Sequence, residues 1–307
     1  MSVDWRDAME AQAGVWRKCS PYKSFAELEE RLWEFDVLDN GNPRFPQGEE
    51  KETGAVFHGL LTMPPHEVPL YHFTRDTCLI LHQAAKVYPL DTSLPPASYF
   101  LSDSGFWYFS ESVADTSEMD RMRRPLIGIL WHRNRVTKEI VFIALIEEPG
   151  YIPLPLIFAM WPEGSTIRDV IEDFKIPNPD PVDQASETLI THLAQYFAAG
   201  LTFCHQRIFL DQKITPDRAA RRRAQAAGVP VPSDVHVITL RRPVARDAES
   251  TRDVDWQWRW IVTGHWRRQA VGPNRQDRET IWILPYMKGP EDKPVKPPSH
   301  RIFSVTR

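Results

Sequence analysis

The spacing of apolar residues predicts helices at several points along the chain. Residues 3–17, Ser24–Phe35 and Thr74–Val87 carry apolar side chains three and four positions apart, as an amphipathic helix does. The segment "SETLITHLAQYFAAGLTFCHQR" repeats large apolar residues every fourth position. This pattern predicts a long, largely buried helix.

Continuous apolar runs dominate the middle of the chain. "PLIGILWHR" and "EIVFIALIEE" are separated by a polar turn, and "LPLIFAMWP" follows them. Runs of this kind are typical of central strands covered on both faces. With further strand-like runs after Val235, they predict an α+β fold. We expect a mixed or antiparallel sheet, helices packed against it, and basic, tryptophan-rich strands near the C-terminal end.

The segment "TPDRAARRRAQAAG" predicts a basic helix. Thr215 would be its N-cap, Pro216 its first residue, and Gly228 would follow its end. Polar residues three and four apart would form one cationic stripe on it, consisting of Arg218, Arg221, Arg222 and Gln225. The stripe could neutralise phosphates, or it could be a solvated face paired with acidic residues.

The segment "WQWRWIVTGHWRRQ" holds four tryptophans, three arginines and one histidine. Strand alternation would place its large apolar residues on one face, namely Trp256, Trp258, Trp260 and Val262. His265 and Arg267 would join the opposite, polar face if the strand continues past Gly264. A glycine inside a strand often marks a bulge or a close backbone approach, and a bulge here would re-aim His265. We therefore expect the three tryptophans in the core, and His265 and Arg267 in a surface groove near Lys288. A polar loop, "AVGPNRQDRE", and a strand, "TIWILPY", follow.

The charge of the chain is unevenly distributed. Lys213–Arg307 contains 19 basic and 10 acidic residues, whereas the rest of the chain contains 18 basic and 31 acidic residues. This asymmetry predicts an acidic helical and sheet region at residues 1–210 and a basic α+β region at residues 211–307, with one continuous domain as the alternative. A basic region of this kind favours an anionic partner such as RNA or DNA, although the two regions could instead pack against each other.

Three functions remain open at this point. The first is nucleic-acid binding, with exposed tryptophans stacking on bases and phosphates held by Arg218, Arg221, Arg222, Arg267, Arg268 and Lys288. The second is a toxin-like RNA-cleaving enzyme, with His265 as general acid or base and Arg259 or Arg267 stabilising charge on phosphorus. The third is a non-enzymatic phage or host-defence protein whose tryptophans bind a partner protein.

Metal and cofactor chemistry is weakly supported by the sequence. Cys78 and His82 are four residues apart and His72 is nearby, but a zinc site needs three or four ligands. We expect these residues to be structural, with no bound metal. We also expect no cofactor, since the chain contains neither a Walker loop nor a Gly-x-Gly-x-x-Gly motif.

Three widely spaced cysteines, Cys19, Cys78 and Cys204, are typical of free thiols in a reducing compartment. The chain also lacks an apolar stretch of the length that crosses a membrane, and its start does not resemble a secretory signal. These observations predict a cytoplasmic protein without a membrane partner.

Three C-terminal motifs carry a family resemblance: Gly-His-Trp-Arg at Gly264–Arg267, "WILPY", and "KGPEDKP". In these motifs the chain resembles an uncharacterised protein family of actinobacterial chromosomes, plasmids and phages. The "PDRAARRRAQAAG" and "SGFWYF" segments are also similar, although Gln269 here follows two arginines rather than Arg-Asn. The resemblance implies a mobile-element or host cytoplasmic setting and no particular activity.

Overall fold

The fold is described from a computed structural model of the protein, which describes part of the chain. The described residues are 5–19, 59–64, 66–93, 95, 99–110, 126–136, 138–148, 152–162, 164–173, 181–226, 231, 235–241, 257–290 and 293–294. The chain forms two compact units, Met1–Arg241 and Arg242–Arg307. The helix predicted at Ser24–Phe35 lies outside the described residues.

A mixed sheet is the centre of the first unit. Its strands are β1 (Leu70–Phe73), β2 (Ser104–Phe109), β3 (Leu126–Asn134), β4 (Glu139–Glu148), β5 (Ile152–Pro162), β6 (Phe209–Ile214) and β7 (Val235–Leu240). They form a seven-stranded sheet in the order β5-β4-β3-β2-β1-β7-β6. β1 is parallel to β2 and β7, and the other neighbours are antiparallel. The predicted α+β fold is confirmed.

Helices cover both faces of this sheet. They are α1 (Trp5–Cys19), α2 (Arg75–Ala85), α3 (Ile167–Asp173), α4 (Pro181–His205) and α5 (Arg218–Ala226), and residues 59–62 are also helical. α1 packs on the face that contains Phe106 and Leu130. On the other face, Phe197 of α4 lies against Trp107 and Phe142. Burial on both faces explains why β3 and β4 are continuously apolar.

The basic helix α5 begins two residues later than the sequence predicts. The backbone N–H of Arg221 donates to the carbonyl of Asp217 at 3.0 Å, which is the first i→i+4 bond of the helix. The prediction of Thr215 as N-cap and Pro216 as first residue is therefore wrong, because Pro216 is buried before the helix starts. Gly228 lies outside the described residues.

The second unit contains four short strands. They are β8 (Trp260–Val262), β9 (His265–Val271), β10 (Asp277–Ile283) and β11 (Tyr286–Lys288), with a 3-10 turn at Pro273–Arg275. β9 pairs with β10 and β8 pairs with β11, both antiparallel. The strands predicted after Val235 therefore belong to different sheets. β7 joins the central sheet, and the later strands pair with each other in the second unit. The division into units falls after β7, so residues 211–241 belong with the first unit.

None of the helices in the described part of the chain combines the length and apolar composition needed to cross a membrane.

Candidate nucleic-acid interface

The four strands of the second unit follow a single register. Val262 lies opposite Tyr286, and the next paired residues are His265 and Ile283. Two residues therefore separate the paired segments in each strand. Because both gaps have the same length, the register continues unchanged and leaves no extra residue for a bulge at Gly264. The structure therefore has no bulge at Gly264. The two pairings, β8 with β11 and β9 with β10, are separate two-stranded sheets that share one register, and we call them together the ribbon.

Residues that pair across an antiparallel ribbon share a face, so the register assigns every side chain to one of two faces. We call the first the aromatic face; it comprises Trp260, Val262, Gly264, Trp266, Arg268, Ala270, Arg278, Thr280, Trp282, Leu284, Tyr286 and Lys288. We call the second the histidine face; it comprises Ile261, Thr263, His265, Arg267, Gln269, Val271, Asp277, Glu279, Ile281, Ile283, Pro285 and Met287.

Trp282 is the buried tryptophan of the ribbon. Its side chain is 3% exposed, and its ring centroid lies 5.2 Å from that of Trp266 on the opposite strand. Gly264 makes room for it, because a Cβ at this position would overlap Cζ2 of Trp282. The expectation that Trp258 belongs to the core is wrong: it is 44% exposed and precedes the first residue of β8. Trp260 is half-buried, and Trp256 lies outside the described residues.

Two exposed arginines lie next to each other on the aromatic face. Arg268 is opposite Thr280 and Arg278 is opposite Ala270, so the two arginines are diagonal neighbours across the strands. Neither guanidinium forms an ion pair with a carboxylate of the described residues. Two adjacent guanidinium groups of this kind can bind the oxygens of a phosphate backbone.

The tip of the ribbon presents a third arginine. Gly272, Asn274 and Arg275 have positive φ angles of 76°, 58° and 57°. A side chain at Gly272 would collide with the carboxylate of Asp277, whose Oδ2 would lie 2.5 Å from the Cβ. Both ends of the predicted loop "AVGPNRQDRE" are strand, since β9 ends at Val271 and β10 begins at Asp277. The connection between them is a tight turn with Arg275 exposed at its end.

The histidine face carries the candidate catalytic residues. His265 is exposed, and its Nδ1–H donates to the carbonyl of Thr263 at 3.0 Å. In the neutral imidazole this bond leaves Nε2 as the proton acceptor. Arg267, two residues along the strand, is exposed and donates to the amide oxygen of Gln269. Arg259 is half-buried, and its backbone N–H donates to the carbonyl of Pro294 at 2.9 Å.

Lys288 lies apart from the candidate catalytic pair. It is opposite Trp260 on the aromatic face, and its Nζ lies 5.7 Å from the centroid of the Trp260 ring. His265 and Arg267 belong to the histidine face. The expected groove that combines these two residues with Lys288 is therefore wrong, because the unbroken register puts them on opposite faces.

The basic helix α5 is part of the first unit. Its three predicted phosphate-binding residues, Arg218, Arg221 and Arg222, are exposed. The Nε of Arg221 donates to the carbonyl of Pro216 at 2.7 Å, which anchors this side chain to the turn before the helix. The predicted cations therefore fall into two groups, one on α5 and one on the ribbon.

The three residues weighed as metal ligands make hydrogen bonds in the first unit. His72 Nε2 lies 2.6 Å from the hydroxyl of Ser110, and Cys78 donates to a backbone carbonyl. His82 Nδ1 lies 2.5 Å from the hydroxyl of Tyr196, which donates to it in the tautomer that carries its proton on Nε2. In the described residues, no group of three or more His, Cys, Asp or Glu side chains is arranged to hold a metal.

An acid–imidazole pair in the first unit was missed by the sequence analysis. Both carboxylate oxygens of Asp211, on β6, lie 2.8–2.9 Å from Nδ1 of His236, on β7. This contact fixes the orientation of the imidazole and leaves Nε2 available to another group. The sequence pattern did not predict β6 as a strand. Four consecutive residues of it, 210–213, are exposed, and three of these are polar.

The groups around this pair are poorly suited to nucleophilic attack. The ring of Tyr71 lies 4.8 Å from that of His236, and its hydroxyl donates to Ser102 at 2.9 Å. Burial raises the pKa of Tyr71 to about 12, and burial also raises the pKa of the Cys204 thiol. Both groups are therefore neutral near pH 7, so neither is an activated nucleophile. The Asp211–His236 contact acts as a link between an edge strand and its neighbour.

Comparison of the chain with models of protein families, with curated proteins and with solved structures finds no match. The resemblance to the actinobacterial and phage family rests on the quoted motifs and stays a prediction.

Proposed function

We propose that the chain is a nucleic-acid-binding protein whose C-terminal ribbon contacts the phosphate backbone. The observation that carries this proposal is the pair of exposed, diagonally adjacent arginines on the aromatic face, Arg268 and Arg278. Because both side chains extend from the same face of the paired strands, the two guanidinium groups can reach successive phosphates along a strand.

The charge of the ribbon supports the proposal. The described residues of the second unit include seven basic and two acidic side chains. Neutralising phosphates with such cations releases counterions, which supplies much of the affinity of non-specific binding and makes it depend on salt. We also propose a cytoplasmic or mobile-element setting. The widely spaced cysteines support a reducing compartment, and the C-terminal motifs support the mobile-element origin.

The test replaces both arginines in the full chain, as Arg268→Ala with Arg278→Ala. Binding of fluorescently labelled RNA and DNA oligonucleotides is measured by anisotropy at several salt concentrations. We expect weaker binding to every sequence. We also expect a plot of log affinity against log salt to become flatter by roughly one unit for each lost phosphate contact.

A charge-matched control separates the ribbon from the overall charge. Arg207→Ala with Arg241→Ala removes two exposed arginines from the first unit and should leave the affinity nearly unchanged. Equal losses in both double variants would contradict a ribbon site. Absence of any nucleic-acid binding would favour a protein partner, for which exposed Ile261 and Met287 on the histidine face are the best surface.

A second candidate function is RNA cleavage, favoured by the bond from His265 to the Thr263 carbonyl. That bond leaves Nε2 free to accept a proton, and Arg267 on the same face could stabilise charge on phosphorus. His265→Gln should then abolish cleavage of a labelled RNA while binding and melting temperature stay the same. Cleavage at the wild-type rate in this variant would remove His265 from the reaction.

A further inference from the structure

The aromatic rings of the chain are almost all covered. Of the Trp, Tyr and Phe side chains whose burial the structure describes, only Trp258 and Tyr286 are exposed, at 44% and 46%. Both lie at the open end of the ribbon, away from the turn. Exposing two large rings is unfavourable in water, so their placement together on a basic unit points to a ligand that uses them.

Tyr286 shares the aromatic face with two further groups that can hold a base and a phosphate. Trp260 is half-buried on the neighbouring strand, diagonal to Tyr286, and Lys288 holds its ammonium group over the Trp260 ring. Stacking on aromatic rings beside a cation is how sequence-tolerant proteins hold unpaired bases.

The same face continues to the two arginines near the turn. Arg268 lies eight residues from Trp260 along the chain, which corresponds to at most about 26 Å, since an extended residue adds about 3.3 Å. The face therefore carries a stacking end and a phosphate-binding end. A duplex could use only the second, because its bases are already stacked and paired with each other.

We infer that the nucleic acid held at the open end of the ribbon is single-stranded, and that its bases stack on Tyr286 and Trp258. This inference rests on the proposed function and specifies its ligand. Lys288 contacts a phosphate between the two stacked bases, and the pair Arg268 and Arg278 contacts phosphates farther toward the turn.

The experiment uses an abasic strand, which keeps every phosphate and loses every base. The full chain is titrated with three probes of about 15 nucleotides: a single strand, its abasic counterpart and the matching duplex. The intact single strand should bind about tenfold or more tighter than the other two, because stacking on each ring contributes to affinity only when bases are present and unpaired. DNA and RNA forms of the single strand show which sugar is preferred.

Adjacent residues of equal exposure provide the matched control. Tyr286→Ala should reduce the difference in affinity between the intact and abasic strands, and Tyr286→Ala with Trp258→Ala should abolish it, while Tyr286→Phe should keep it. Met287→Ala removes a side chain that is 45% exposed on the opposite face and should also keep the difference.

Two results would overturn the inference while leaving the proposed function standing. One is equal affinity for the intact, abasic and duplex probes. The other is an equal loss in Tyr286→Ala and Met287→Ala. Absence of binding to all three probes would instead contradict the proposed function itself.

Discussion

The indole of Trp282 lies directly over Gly264, where a Cβ atom would overlap its Cζ2 atom. The two residues are on facing strands, and the contact occurs where the backbone pairing of the ribbon is interrupted. Glycine is therefore needed at this position for close packing and does not mark a bulge.

Replacing this glycine should destabilise the ribbon. In Gly264→Ala the new methyl group forces Trp282 or the backbone to move, which typically costs about 1–3 kcal/mol in a packed site. Urea unfolding followed by tryptophan fluorescence measures the change. Gly59→Ala is the control. Gly59 lies in a helix, and a Cβ there would have no atom within 4 Å, so this substitution should be neutral or slightly stabilising. Equal stability of the two variants would show that Trp282 can move at no cost.

The tryptophans of the ribbon should differ sharply in their contribution to stability. Trp282→Ala removes a buried ring and should cost roughly 3–5 kcal/mol. Trp258→Ala removes an exposed ring and should change the free energy of unfolding by no more than about 0.5 kcal/mol. Thermal melting of both variants distinguishes them, and a larger loss in Trp258→Ala would reverse the assignment of the core residue.

Strand alternation predicted which side chains share a face, and it did so correctly because the register is unbroken from Trp260 to Val271. Alternation does not determine which face is covered. That depends on the facing strand, where Trp282 fills the space above Gly264. Trp258 gains no such cover because it precedes the paired segment.

The central strands were predictable because burial on both faces demands continuous apolar residues, as in β3 and β4. β1 has only four residues and was missed. β6 was missed because an edge strand with an exposed surface keeps polar side chains such as Asp211 and Lys213. The Asp211–His236 contact could not be predicted, since it depends on the pairing of β6 with β7.

The basic helix α5 provides a separate test of phosphate binding in the first unit. If its stripe contacts phosphates, Arg221→Ala with Arg222→Ala should weaken binding to all sequences alike and flatten the salt dependence by roughly one unit per contact. Anisotropy titrations at several salt concentrations measure both effects. Unchanged affinity and slope would show that the stripe is a solvated face or is paired with acidic residues.

Alkaline conditions should destabilise the first unit through its buried phenols. Burial raises the pKa of both Tyr71 and Tyr88 to about 12, whereas a tyrosine in the unfolded chain ionises near pH 10. The folded state therefore keeps protons that the unfolded state loses, and the free energy of unfolding decreases as the pH rises from about 10 to about 12. Below about pH 10 the two buried phenols make their full contribution to the free energy of unfolding.

Tyr88→Phe tests this because phenylalanine has no proton to lose. Urea unfolding at about pH 8 and about pH 11 should show a smaller alkaline loss in the variant than in the wild type. The hydroxyl of Tyr88 lies 3.5 Å from that of Thr202, a long hydrogen bond, so its removal should change the stability little at the lower pH. The same alkaline loss in both proteins would show that Tyr88 ionises equally in the folded and unfolded states.

Photochemical cross-linking measures directly where nucleic acid contacts the chain. A single-stranded oligonucleotide carrying photoreactive bases is irradiated with the full-length protein, and the cross-linked peptides are sequenced by mass spectrometry. We predict cross-links within residues 257–290, concentrated at Trp258 and Tyr286. Cross-links confined to residues 1–241 would contradict the assignment of the C-terminal ribbon as the binding surface.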